Sequence, residues 1–211
     1  VGELRHPAKF SAPIVEVLKT LVVDLEITSV LDVFSGVGGI HAIPVSTFGV
    51  EIEPLWARQQ AGPVVVGDAT KLPIADNSVD AVITSPVYGN RMSDHHQAKD
   101  SSKRNTYTHA LGRQLSDRNA GKMKFPSRDY EDLHRMAWAE ACRVSKRYLI
   151  VNCSDFIAKG NQVRVCDWHK SAITAIGMKH LGSIRVATRR NKFGANAHLR
   201  VDHEEVMVFS K

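Results

Sequence analysis

Seven short apolar runs alternate with stretches of helical periodicity along this 211-residue chain, and that alternation limits its fold more than any other feature. The runs span residues 30–34, 47–51, 64–66, 81–84, 148–153, 184–188 and 205–209, each bounded by turn-forming residues. Helical spacing predicts helices over 11–25, 54–60, 128–144 and 167–178. In the third of these, Tyr130, Leu133, Met136, Ala137, Ala141 and Val144 are expected on one packed face. Strands that alternate with helices build a parallel α/β sheet, since parallel neighbours need a crossover between them. The length suits one domain with one sizeable core, and no internal repeat is visible.

What ends these runs is more specific than the runs themselves. "VLDVFSGVGG" places Asp32, Phe34, Gly36, Gly38 and Gly39 at the end of the first strand, where glycines let a backbone turn tightly and approach a nucleotide-like ligand. A dinucleotide fingerprint in that register needs glycine at position 41, which is His41, so NAD is disfavoured. "FGVEIEP" ends the second strand with Glu51, placed to accept both hydroxyls of a ribose. "VVVGDATKLP" ends the third with Asp68, placed to accept from an adenine amine. Three such features in succession converge at the carboxyl edge of a sheet, where open α/β folds bind ligands.

At these residues the chain resembles the class I S-adenosylmethionine (SAM) methyltransferases, and more narrowly the DNA amino-methyltransferases that modify cytosine N4 or adenine N6. "HPAKF", "DVFSGVGG", "GVEIEP", "GDAT" and "TSPVY" carry the resemblance, in the family order with the cofactor motif upstream of the catalytic one. The "SPVYGNR" stretch followed by basic polar sequence is similar to small phage-encoded methylases. The resemblance implies a Rossmann-like, seven-stranded, mostly parallel sheet with an antiparallel last strand and helices on both faces. It implies one SAM-dependent domain over 1–211, with residues 90–128 as a basic insertion. His6, Pro7, Lys9 and Phe10 are then expected near the methionine carboxylate, and Asp32, Phe34, Ser35, Gly36 and Gly38 around the methionine. Glu51 with Ile52 would take the ribose, and Asp68 with Ala69 the adenine.

The catalytic expectation rests on Ser85, Pro86 and Tyr88. An exocyclic base amine is a poor nucleophile because its lone pair delocalises into the ring. Accepting its hydrogens on the Ser85 side chain and the Pro86 carbonyl favours a tetrahedral nitrogen and frees that pair. Pro86 presets the local backbone, and Tyr88 would stack on a base flipped from its duplex. Transfer is then a direct displacement helped by positioning. The family pattern is Asp, Asn or Ser, then Pro-Pro, then an aromatic residue; Val87 replaces the second proline. Serine at the first position favours cytosine N4 over adenine N6. Cytosine C5 chemistry needs a thiolate, usually after proline, and none of Cys142, Cys153 and Cys166 follows one.

Charge points to the partner. The net charge is +6 and the isoelectric point about 9.3. Residues 90–128 hold nine Lys or Arg against three acids, an excess equal to that of the whole chain. With the basic stretch 189–203, this segment is expected to clamp DNA through Arg91, Lys103, Arg104, Arg113, Arg189 and Arg190, a solvated surface loop being the plainer alternative. A homodimer or a separate recognition subunit would supply further specificity. Cysteines without a CxxC pair indicate a reducing compartment. The absence of a membrane span or signal-peptide pattern agrees with the cytoplasm of a bacterium or phage-infected host. Cys153, Cys166 and His169 lack a fourth ligand, so no metal is expected. An RNA guanine-N2 methyltransferase and a non-catalytic SAM-fold subunit are the other readings.

Overall fold

The computed structural model describes residues 6, 9–89, 106–188 and 197–211. Seven strands form one sheet: β1 (Ser29–Asp32), β2 (Ser46–Glu51), β3 (Val64–Val66), β4 (Val79–Thr84), β5 (Ser145–Cys153), β8 (Lys179–Ala187) and β9 (His203–Ser210). Their spatial order is β3-β2-β1-β4-β5-β9-β8. The β3, β2, β1, β4 and β5 neighbours pair in parallel. β9 runs antiparallel to both β5 and β8. The expected antiparallel last strand is therefore present, inserted between the two strands that precede it.

Helices cover both faces. α1 (Ala12–Asp24) begins with Pro13 in its first turn, where a missing N–H costs nothing. It buries Ile14, Leu18 and Val22, four apart, over Val30, Ala81, Ile83 and Ile150. On the other face, α4 (Arg128–Val144) is capped by the Ser127 hydroxyl, which accepts from the Tyr130 amide at 3.3 Å. It packs with α5 (Val165–Ala175) over Leu31, Val82, Leu149, Val151 and Phe209. The α4 face is rotated slightly from expectation. Met136 is 48% exposed, and His134 and Trp138 take the buried positions beside Leu133 and Ala137.

Other elements differ more. The helix expected over 54–60 is the single turn α2 (Pro54–Ala57). α5 stops short of position 178 because the chain turns into the left-handed region at Gly177. β8 begins five residues before its expected start, at Lys179. A hairpin of β6 (Phe156–Ala158) and β7 (Asn161–Val163) lies between β5 and α5. Within the basic insertion, the short helix α3 (Tyr107–Leu111) packs Tyr107 and Leu111 against Trp56. Among the described residues no helix is long and apolar enough to cross a membrane.

The strand order reverses direction between β1 and β4, and such switch points leave a crevice at the carboxyl ends of the strands. Here the two strand ends are tied together: the Thr84 hydroxyl donates to Asp32 Oδ1 at 2.6 Å.

Candidate active site

A cavity of about 1220 Å³ opens at this switch point. Of the residues expected to hold a cofactor, His6, Lys9, Phe10, Asp32, Phe34, Ser35, Gly36, Glu51, Ile52, Asp68 and Ala69 line it. Ser85, Pro86 and Tyr88 line the same cavity. Gly38 does not. Its φ is 85°, a Cβ there would meet His41 and Gln60, and the loop glycines in the wall are Gly36 and Gly39. Pro7 lies outside the described residues.

The loop after β1 owes its shape to Gly36. Its φ is 54°, and a Cβ there would stand 3.1 Å from the His6 ring. His6 in turn meets Trp56 edge-on, with centroids 4.4 Å apart. The Gly36 amide donates to Glu51 Oε2 at 2.8 Å, and the Glu53 amide donates to Oε1 at the same distance. Both carboxylate oxygens of Glu51 are thus oriented by backbone. Burial still pushes the Glu51 carboxyl up to about 7, helped by the charges of Glu53 and Asp32. Burial likewise raises Asp32 to about 7, against the bonds from the Thr84 hydroxyl and the Phe34 amide.

Asp68 is in a different state. Burial acts to raise its carboxyl, but the Thr70 amide and hydroxyl and the Arg118 guanidinium together hold it below its ordinary value. Thr70 bonds Oδ1 at 2.8 and 2.7 Å, and Arg118 Nε bonds Oδ2 at 2.8 Å. The acid expected at an adenine is therefore bridged to a cation of the insertion.

Glu53, two residues past Glu51, organises that insertion and was not expected as a site residue. Its carboxylate is fully buried. It accepts from Arg113 Nη2 at 2.8 Å, the Ser116 amide at 2.6 Å, the Ser116 hydroxyl at 3.0 Å and Asn119 Nδ2 at 2.8 Å. Residues 113–119 are drawn onto the end of β2 by one acid. Arg113, expected on DNA, pairs with Glu53 while 43% of its side chain stays exposed. Lys122 meets Asp117 at 3.1 Å and Arg128 meets Asp132 at 3.4 Å. Arg91, Lys103, Arg104, Arg189 and Arg190 lie outside the described residues.

The 85–88 turn is fixed from both sides. Gly89, with φ of 64°, lets Phe125 pack where a Cβ would collide with the Phe125 nitrogen. The Val87 carbonyl accepts from the Tyr130 hydroxyl at 2.7 Å. Tyr130 also meets His169 Nε2 at 2.9 Å, and Trp138 Nε1 meets His169 Nδ1 at 3.2 Å. An indole N–H only donates, so His169 Nδ1 is unprotonated and Nε2 carries the hydrogen. The bonds then run in one direction, from Trp138 through His169 and Tyr130 to Val87. Burial, then the neighbouring His134, keeps His169 well below the usual histidine range, which maintains this neutral tautomer. Tyr130 thereby holds the loop where the family pattern has its second proline. With both ring nitrogens engaged, His169 has none left for a metal, and no metal-binding cluster occurs among the described residues.

On the far wall, the Tyr88 hydroxyl lies 3.0 Å from Ser85 Oγ and 3.4 Å from Glu204 Oε2. Asn152 Nδ2 donates to Tyr88 at 3.3 Å and to Glu204 at 2.7 Å. Neither Asn152 nor Glu204 was expected at the site. Glu204 shares a face of β9 with Val206 and Val208, and that period of two was the available signal.

No protein-family model and no curated protein matches the sequence. Solved structures match the fold over nearly the whole chain. The [4+2]-cyclase SpnF is 14% identical, covering 98% of this chain and 85% of its own, with a TM-score of 0.56. Magnesium protoporphyrin IX methyltransferase (ChlM) from Synechocystis PCC 6803, solved with bound SAM, is 14% identical over 93% of this chain and 77% of its own, at 0.53. The PH0226 protein from Pyrococcus horikoshii OT3 is 15% identical over 93% and 88%, also at 0.53.

The buried acids make two expectations measurable. Asp32 has an ordinary value of 3.8 and a folded value of about 7, so its ionised form costs stability in full above about pH 7 and not below about pH 4. That cost is on the order of 4 kcal/mol at pH 8. Asn at this position keeps an oxygen for Thr84 and Phe34. Asp32→Asn should therefore raise Tm by on the order of 10 °C at pH 8 and little at pH 4. Equal Tm values at both pH values would refute the burial cost. Glu53→Gln should speed amide exchange at residues 113–119 by roughly 10–100-fold, the equivalent of about 1.5–3 kcal/mol for a charged hydrogen bond. Unchanged exchange there would mean that the segment is held by something else.

At the level these comparisons reach, the chain has the Rossmann-like class I methyltransferase fold.

Proposed function

We propose that this chain transfers a methyl group from SAM to the exocyclic amine of a base in DNA, cytosine N4 in preference to adenine N6. The observation that carries the reading is the shared cavity. The 85–88 turn opens into the space lined by Asp32, Glu51 and Asp68, so an amine held at the turn and a nucleoside held by the acids would be neighbours.

The residues fit SAM. The cavity exceeds the ~300–1,000 Å³ of a typical small-molecule site, leaving space for a base beside a cofactor. Both hydrogen bonds that Asp32 accepts from the described residues fall on Oδ1, so Oδ2 is available to an ammonium. The Glu51 oxygens each take one amide and keep acceptor capacity for a ribose hydroxyl. SAM supplies an electrophilic methyl on a sulfonium. His6 and Phe10 would close the methionine end. The Pro86 carbonyl and Ser85 hydroxyl would accept the amine hydrogens, and the half-buried Tyr88 ring would support the base. Arg118 must yield Asp68 or share it when an adenine binds there.

DNA is favoured by the cations of residues 90–105 and 189–196, since the cations at 113, 118, 122 and 128 already face carboxylates. The direct test is mass spectrometry of nucleosides from DNA incubated with the protein and SAM, with bulk tRNA in parallel. N4-methylcytosine in DNA is the expected product. A methylated guanine in tRNA would move the substrate to RNA. No methylation of either, despite measurable SAM binding, would overturn the enzyme reading.

The partner can be tested separately. Lys103→Ala with Arg104→Ala should weaken DNA binding and lower the slope of log K against log salt by up to about 2, near 0.9 for each phosphate that is no longer neutralised. SAM affinity should not change. An unaltered slope would remove these two residues from the DNA interface.

A further inference from the structure

We propose that Glu204 is the terminal proton acceptor of the methyl transfer, reached from the substrate amine through Ser85 and Tyr88. This rests on the amino-methyltransferase reading and adds a destination for the proton that reading leaves unassigned. The four side chains come from three neighbouring segments: Ser85 and Tyr88 after β4, Asn152 on β5 and Glu204 on β9. Ser85 Oγ and the Tyr88 hydroxyl are 3.0 Å apart, and that hydroxyl and Glu204 Oε2 are 3.4 Å apart. The second distance is long, as catalytic contacts often are before substrate closes a site. Ser85, Tyr88 and Glu204 all line the cavity.

Asn152 gives the relay its direction. Its Nδ2 donates to Tyr88 and to Glu204, so it holds both groups in place. The Tyr88 oxygen accepts from Asn152 and keeps one hydrogen to give. Directed at the carboxylate at 3.4 Å and not at the Asn152 carbonyl at 3.5 Å, that hydrogen leaves the tyrosine oxygen able to accept from Ser85. Ser85 then presents lone pairs, not a hydrogen, to the amine. This is the state its role in the reaction requires.

A serine can accept a hydrogen bond but is too weak a base to keep a proton. The amine lone pair forms the N–CH₃ bond while the electron pair of the donor S–CH₃ bond returns to sulfur, leaving the product nitrogen with one proton too many. That proton passes to Ser85 Oγ, the serine hydrogen passes to the Tyr88 oxygen, and the tyrosine hydrogen passes to Glu204 Oε2. A neutral methylated amine and a protonated Glu204 remain, and the carboxyl loses its proton to water before the next turnover. Burial, then the charge of Glu204, raises the Tyr88 hydroxyl well above its ordinary value, so it serves as a conduit and not as a resting anion. Arg200, Asp155 and Lys159 share the cavity wall with Glu204, and His203 adjoins it in sequence.

The decisive variants are Glu204→Gln, which keeps an oxygen for Asn152, and Tyr88→Phe, which keeps the ring and removes the conduit. Each should lower kcat by on the order of 100-fold with SAM affinity unchanged. The double variant should be no slower than either single one, as for residues that act as a unit. Normal kcat in Glu204→Gln would overturn the relay while leaving the methyltransferase reading intact. A parent protein that methylates neither DNA nor tRNA would overturn both. Should Glu204→Gln fold poorly, Tyr88→Phe decides the question alone.

Discussion

Burying negative charge at the carboxyl ends of β1 and β2 is the constraint around which the rest of the site is arranged. Asp32 and Glu51 are almost fully buried and Glu53 is fully buried. Each needs compensation, since an unpaired buried charge is among the most costly things a fold can contain. The compensation differs for each acid. Glu51 receives two backbone amides, Asp32 an amide and a hydroxyl, and Glu53 a guanidinium, an amide, a hydroxyl and a carboxamide. Burial holds Asp32 and Glu51 near neutrality in proton affinity, whereas Glu53 is surrounded by donors from a single loop. A cationic ligand entering beside Asp32 would supply what the protein itself withholds.

The other half of the cavity is built on the opposite principle. Around the 85–88 turn, buried neutral donors and acceptors point in a fixed order, and the terminal groups are a carbonyl on one side and a carboxylate on the other. The Trp138–His169–Tyr130 series ends at the Val87 carbonyl. The Tyr88–Asn152 pair ends at Glu204. Both series make the turn rigid without a second proline. Val87, the residue that departs from the family pattern, is therefore held by hydrogen bonds instead of by ring geometry.

The acids at strand ends were legible in the sequence because each closes an apolar run, and a carboxylate there has few places to go except the sheet edge. The sheet itself was legible for the same reason, apart from the start of β8, where His180, Gly182 and Ser183 break the apolar pattern and the register shifts. Glu53 was not legible. An acid just before a proline that opens a helical turn reads as an ordinary N-terminal acid, and its burial depends on a loop sixty residues away. The β6–β7 hairpin has three residues in each strand, too few for alternation to be distinguished from chance. Met136 was misplaced because helical spacing alone tolerates a rotation of one position, and the packing of Trp138 against Phe34 and His169 decides it.

The charge excess along the insertion did not reveal where its cations point. A run of cations is equally compatible with phosphates outside or carboxylates inside, and only tertiary structure separates the two. Arg113 and Arg118, each about half exposed, pair with Glu53 and Asp68 and so bring the insertion down onto the side of the cavity formed by the acids. They connect the segment rich in positive charge to the residues assigned to a nucleoside. A nucleic acid drawing on the cations of residues 90–105 would pull on a segment already anchored at 113–119. Two arginines that meet carboxylates thus tie residues 113–119 to the ends of β2 and β3, where Glu53 and Asp68 stand.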